Sequence, residues 1–292
     1  PTFYLISGLL FFATFKPTGR ELIRKYRSRV VSLLAPYLAW SALAIGFFWL
    51  VQSLPSARVL FPNSEEIVAD MSSKDLAKTW LTAALPVQLW FMRYLMLMVA
   101  AAPLVYVLLT RLGVGFLVVV FAVWLSAVAD GMWHYLVEAI WFFSLGAYIA
   151  IRRTIRLDSG FPFAWLLLPC WLAMSACDVY LGFAFRSSNP LRQATILIGV
   201  AGVWLNWQAF RFVFESAPAR RAAKYAFFIY AAHMPAVVIL VRLVVLGVGR
   251  NDTGLAVAAI VSPIVVIGCI LLGGWALRKL CPPAYSLLSG GR

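Results

Sequence analysis

Long uninterrupted apolar runs constrain this chain more than any other feature. A helix needs roughly 20 apolar residues to cross about 30 Å of hydrocarbon. Nine stretches reach or approach that length: 1–15, 30–54, 88–110, 114–129, 135–151, 161–183, 193–214, 227–248 and 255–277. The run at 1–15 looks clipped, and those at 114–129 and 135–151 are short. The polar–apolar alternation of a membrane β-barrel is absent. Charged residues make up 12% of the 292 and hydrophobic ones 63%. One core cannot hide so much apolar surface, which excludes a soluble enzyme. The abundance of aromatics and branched aliphatics excludes disorder. Twelve Trp, 11 Tyr and 21 Phe suit interfacial aromatic belts. The expected fold is all-α: a polytopic transmembrane helical bundle forming a single domain over 1–292.

Charge placement orients the runs. With nine spans the connecting segments alternate sides. One set (16–29, 111–113, 152–160, 215–226 and 278–292) carries sixteen basic residues, and the opposite set carries six: Arg58, Lys74, Lys78, Arg186, Arg192 and Arg250. Arg93, Arg211 and Arg242 fall inside spans. The positive-inside rule puts the first set, and with it the C-terminus, in the cytoplasm. Pro1 then starts outside. An upstream helix missing from this sequence would restore a cytoplasmic N-terminus and make ten spans. The net charge of +14 is therefore a signature of topology, and nucleic acid is not an expected partner. The longest loop, 55–87, is extracytoplasmic and holds Glu65, Glu66, Asp70 and Asp75. Within it SSKDLAKTWL predicts a short helix with Ser73 as N-cap.

Cys170, Cys177, Cys269 and Cys281 form no CxxC pair. They suggest neither a disulfide framework nor a zinc site and read as small buried side chains. No Walker A loop, GxGxxG, HExxH or GxSxG occurs, so nucleotide-driven pumps, zincins and common serine hydrolases have no motif support.

Three groups of polar residues stand out. In the loop after the first run, Arg20, Arg24 and Arg27 recur at i, i+4, i+7 and share a helix face; Lys25 and Arg29 form a second pair. They read either as an anchor on anionic lipid or as a phosphate clamp, since guanidinium forks grip phosphate oxygens bidentately. His233, in FFIYAAHMP, lies about six residues inside its span with Tyr230 on the same face. It reads either as a helix–helix hydrogen-bonding residue or as part of a polar site. Asn206 and Gln208 reach a similar depth, and Arg211 snorkels from there. Near the outer ends lie Arg93, Glu138, Asp178 and Arg242. These are either mutually paired structural charges or the lining of a cleft suited to a hydroxyl-rich acceptor. His134 is placed in an outer turn at the interface.

Several segments together resemble the membrane acyltransferase 3 family, O-acyltransferases of cell-envelope sugars and similar polyols. FYLISGLLFF resembles its FFxISG helix. KYRSRVVSLLAPYLAW resembles its basic cytoplasmic loop running into a helix with internal Pro and Trp. QLWFMRYLMLMVAAAPLV resembles its LWFL helix, IWFFSLGAYIAIRR its FFxLG segment, and FFIYAAHMP its late IYLxH motif. The five occur in the family's order across nearly the whole chain.

The resemblance implies a multi-pass protein of the bacterial inner membrane with ten spans. It implies transfer of an acyl group, typically acetyl, from acyl-CoA to a hydroxyl of a saccharide or lipid-linked sugar. The family carries an essential His and an Arg in its first helix, which this sequence lacks, so these 292 residues are expected to be inactive alone. Within the chain the expected catalytic residues are His233 and Glu138. Arg24, Lys25, Arg27 and Arg29 are expected to hold the acyl-CoA donor, and Arg93, Asp178 and Arg242 the acceptor. No metal and no permanently bound cofactor is expected; membrane lipids are. The rival readings are a secondary transporter or lipid-linked sugar flippase, with Pro103, Pro169 and Pro263 breaking spans, and a non-catalytic scaffold.

Overall fold

The computed structural model describes residues 1–15, 17–54, 68–82, 87–126, 132–152, 163–181, 190–206, 215–249 and 251–291. Lys16, Arg58, Glu65, Glu66, Arg153, Arg156, Arg186, Gln208, Arg211, Arg250, Arg292 and the Asp178 side chain lie outside the described residues. The described residues form helices and no strand. In chain order these are α1 (Thr2–Ala13), α2 (Gly19–Arg29), α3 (Ala35–Ser53), α4 (Ser73–Thr82), α5 (Trp90–Ala100), α6 (Ala102–Leu112), α7 (Val114–Leu125), α8 (Met132–Arg152), α9 (Leu167–Leu181), α10 (Pro190–Leu205), α11 (Ala217–Ala223), α12 (Ala226–Val248), α13 (Asp252–Leu280) and α14 (Pro282–Ser289).

Three stretches of described helix are long and apolar enough to cross a membrane by themselves: Gly19–Ser53, Trp133–Arg152 and Asp252–Leu280. The run at 88–110 folds as two helices, α5 and α6, bent by 61° to each other, and the pair is long and apolar enough to cross a membrane when taken together. The bend falls at Ala101, two residues before Pro103, which has no N–H to continue the ladder. Pro263, by contrast, sits inside an uninterrupted α13. The basic loop is not a separate connector. α2 passes through a π-helical turn, Val30–Leu34, directly into α3. The cap of α4 is Ser72 rather than Ser73: the Asp75 amide donates to Ser72 Oγ at 3.2 Å, while that hydroxyl donates to Asp75 Oδ2 at 2.6 Å. Asp75 thus both donates to and accepts from the one Ser72 hydroxyl, while Ser73 is already the first residue of the helix. All four cysteines are free and exposed rather than buried, three of them on helices and Cys281 at the junction of α13 and α14.

The chain divides into two compact units, 1–26 with 94–216 and 27–93 with 217–292. The first is built on α1 and α8. A Cβ added to Gly8 would lie 2.1 Å from the Phe143 carbonyl oxygen, and one added to Gly146 2.0 Å from that of Leu5. The backbones thus touch, and Phe11 and Phe12 close the seam against Phe143 with ring centroids 6.4 and 6.1 Å away. Between helices in lipid there is little hydrophobic drive, so close backbone approach at small residues supplies the cohesion. On α10, Gln193 donates to the Trp124 carbonyl at 2.7 Å.

In the second unit α4 docks on α3. Ser41 donates to the Trp80 carbonyl at 3.1 Å, and the Trp80 indole to that of Leu38 at 2.9 Å. The tail folds back as α14, whose Leu288 carbonyl accepts from Trp40 Nε1 at 2.9 Å. Gly290 ends it at φ +70°, with its α-carbon against the Ser32 carbonyl. Both the left-handed backbone and the close approach require glycine. α12 and α13 form a helical hairpin whose turn is capped by Asn251, its side chain accepting from the Gly254 amide at 2.7 Å.

Candidate functional site

The basic face of α2 sorts into engaged and available cations. Arg24 pairs with Glu21 at 2.6 Å. Lys25 donates to the Phe11 carbonyl at 2.8 Å and to Thr14 Oγ1 at 3.1 Å, and lies 4.9 Å from the Phe11 ring centre. It ties α2 to the end of α1. Arg27 is exposed and Arg29 half-buried, and neither has an acidic partner among the described residues. Arg29 closes α2, just before the apolar run that begins at Val30. A guanidinium is always cationic, so the two forks are able to take anionic oxygens.

In the first unit α8 places His134 and Glu138 four residues apart on one face. Both are buried, 3% and 4% exposed. His134 is therefore not the interfacial turn residue expected. Its ring lies 6.4 Å from that of Trp124, which stacks in turn on Trp141 at 5.5 Å. Arg192 of α10 lies within electrostatic reach of Glu138. Asn206, at the end of α10, is structural, donating to the carbonyls of Ala164 at 2.7 Å and Gly202 at 2.8 Å.

In the second unit α12 carries His233. Its Nδ1 lies 2.6 Å from the Tyr230 carbonyl. A carbonyl only accepts, so Nδ1 holds the proton and Nε2 of the neutral ring has the free lone pair. The Tyr230 hydroxyl donates to the Gln88 carbonyl, and Gln88 Nε2 donates to the Ala231 carbonyl at 3.0 Å. Gln88 Oε1 is buried with no hydrogen-bond partner. His233 also lines a cavity between α12 and α13. Arg93 is half-buried on α5, and Arg242 is exposed on α12.

The expected catalytic pair thus falls in different units, Glu138 in the first and His233 in the second. Sequence reasoning missed Gln88 and Gln193 entirely. The i, i+4 spacing of His134 and Glu138 was a readable signal; nothing local marks either glutamine. Among the described residues no group of three His, Cys, Asp or Glu side chains is arranged to hold a metal ion.

A family model described as an acyltransferase domain (Acyl_transf_3) matches residues 1–274. The chain belongs to the acyltransferase 3 family. No curated protein and no solved structure matches it. Membership makes this membrane protein an acyltransferase and gives its motifs a physical setting. The glycines of ISG and FFSLG, Gly8 and Gly146, are the two that meet in the α1–α8 seam.

Proposed function

We propose that this acyltransferase moves an acyl group, in the simplest case acetyl, from acyl-CoA at the cytoplasmic face of the bacterial inner membrane to a hydroxyl of a cell-envelope saccharide or lipid-linked sugar. The observation that carries this reading is His233, an ionisable residue within an apolar helix whose tautomer is set by the Tyr230 carbonyl. Ionisable groups are costly in lipid and belong to polar sites. A neutral imidazole with a free Nε2 suits a general base near neutral pH. The acceptor oxygen bonds to the thioester carbonyl carbon as its proton passes to Nε2. The C–S bond then breaks, and the CoA thiolate takes that proton as it leaves. Arg27 and Arg29, with Arg24, are the residues proposed to hold the donor's phosphates. Glu138, with Arg192 within electrostatic reach, is proposed as a catalytic residue, and Arg93, Asp178 and Arg242 are proposed for the acceptor.

The test is acyl transfer by the full-length gene product in vesicles supplied with labelled acetyl-CoA and sugar acceptors. His233→Gln should lower kcat by about 10²–10⁴-fold, the usual contribution of a positioned base, while donor binding persists. Full activity in that variant moves the base elsewhere. Acceptor accumulating inside the vesicles without acylation identifies a transporter instead. Orientation is tested by cysteine labelling of intact cells in a cysteine-free background. A Cys replacing Asp70 should react with an impermeant reagent and one replacing Arg153 should not.

A further inference from the structure

Gln88 grips α12 at two successive residues. It stands in the 3₁₀ turn Val87–Leu89 that leads into α5. Its backbone carbonyl accepts from the Tyr230 hydroxyl, and its side-chain Nε2 donates to the Ala231 carbonyl at 3.0 Å. Three residues on, the Phe91 ring meets that of Tyr230 edge to face, with centroids 6.0 Å apart.

The Ala231 carbonyl differs from its neighbours along the helix. In an α-helix it would accept from the N–H four residues later. That residue is Pro235, which has none. Yet α12 runs unbroken from Ala226 to Val248. A proline inside a membrane helix is tolerated where a neighbour satisfies the freed carbonyl. Here the neighbour is the Gln88 carboxamide, which stands in for the N–H that Pro235 lacks. Between Ala231 and Pro235 lies His233. Its Nδ1 is held at 2.6 Å by the carbonyl of Tyr230, the residue whose hydroxyl Gln88 accepts. The residue before a proline resists helical backbone angles, so the turn that aims the imidazole is a weak point of α12. Gln88 fastens that turn at both Tyr230 and Ala231.

Gln88 is 9% exposed, and its Oε1 is buried with no hydrogen-bond partner. That oxygen lowers stability, and a methionine of similar shape would avoid it. Such a local conflict is expected where a residue serves the site rather than the fold.

We infer that Gln88 is a positioning residue for His233: by replacing the missing Pro235 N–H it fixes the turn from Tyr230 to Met234, and with it the direction of the Nε2 lone pair. This assignment deepens the acyl-transfer reading above and rests on it for the role of His233.

The experiment uses the full-length protein, ¹⁵N-labelled at histidine, in lipid nanodiscs. At a pH where the ring is neutral, the ¹⁵N spectrum reports the His233 tautomer, its signal assigned by its absence from His233→Gln. The unsubstituted protein should show one tautomer, with the proton on Nδ1. Gln88→Met keeps the length of the side chain and loses the donor. It should give mixed tautomers and lower kcat for acetyl transfer by about ten- to a hundredfold, the cost of a slightly misplaced group, with the KM for acetyl-CoA unchanged. Its melting temperature should hold, because the unsatisfied Oε1 goes with the donor. Should Gln88→Met not fold, Gln88→Asn, too short to reach Ala231, makes the same comparison. Adding Pro235→Ala returns an N–H to the Ala231 carbonyl and should restore the single tautomer and most of kcat. Gln193→Met removes a similarly half-satisfied amide from α10 and should leave the His233 signal as it is. A single tautomer in the Gln88 variants, or no rescue by Pro235→Ala, overturns the proposal. So does a fall in kcat matched by loss of folded protein with the tautomer kept. If Gln88 governs the tautomer but His233→Gln transfers acetyl at full rate, the positioning stands and the base assignment falls. If even the unsubstituted protein transfers nothing, the acyl-transfer reading falls and the tautomer alone decides the role of Gln88.

Discussion

Where α1 meets α8, no side chain separates the backbones at Gly8 and Gly146. Where α12 meets α13, Val237, Val241 and Val245 stand on one side of a 650 Å³ cavity. Both pairs are apolar helices in the same protein, yet one is closed at backbone distance and the other keeps an opening between its side chains. The difference follows from the solvent. In lipid, burying an apolar side chain gains little, because hydrocarbon lies on both sides of the exchange. Cohesion depends on how close the atoms come. The α1–α8 seam is a structural joint at backbone distance, whereas the α12–α13 pair meets through side chains that leave a groove open.

The largest expected effect breaks the joint. Gly8→Ala drives a Cβ to 2.1 Å from the Phe143 carbonyl oxygen, so one backbone must move. The cost should be about 3 kcal/mol or more, read as loss of monodisperse protein and a lower melting temperature in detergent. Gly268→Ala on α13 meets nothing within 4 Å and should be neutral or slightly stabilising. Equal melting of the two variants would mean that backbone contact is not what holds the first unit.

The next test separates holding from binding along α2. Arg27→Lys with Arg29→Lys keeps the charge but removes the fork geometry. It should raise the KM for acetyl-CoA by roughly ten- to a thousandfold if one or two charge-assisted hydrogen bonds are lost, with abundance unchanged. Arg220→Lys with Arg221→Lys, in α11, is the control. An unchanged KM in both would leave α2 as an anchor on lipid.

Lys25→Met loses bonds to Phe11 and Thr14. It should cost about 1–3 kcal/mol of stability and move KM less than the arginine pair does. A KM effect as large as theirs would return Lys25 to the donor site.

The smallest expected effect is in the second unit. Trp40→Phe removes the bond to the Leu288 carbonyl and should cost about 1 kcal/mol, seen as earlier proteolysis of the tail. No change would mean that Gly290 and the aromatic contacts hold α14 unaided.

Much of this was legible along the chain, because apolar length and helical spacing are local properties. Within the described residues the runs became helices, Arg20, Arg24 and Arg27 fell on a helix, and Pro103 marked the bent pair. The site was less legible. Ser72 and Ser73 look alike as caps until the Asp75 amide chooses between them. His134 reads as a turn residue until Trp124 and Trp141 cover it. Lys25 reads as one more loop cation until the Phe11 carbonyl claims it.

Composition and periodicity alone determined that this chain lives in lipid as helices, since nothing else satisfies backbone hydrogen bonds across runs of this length. The order of its motifs carried the family. Only the tertiary structure decided that Gly8 and Gly146 lie in one seam, that Lys25 bonds to the end of α1, and that the Ser262 hydroxyl is buried without a partner. The physical reason is that a helix satisfies its own backbone whatever surrounds it. What a side chain touches, by contrast, is set by residues distant in sequence, and no local pattern records them.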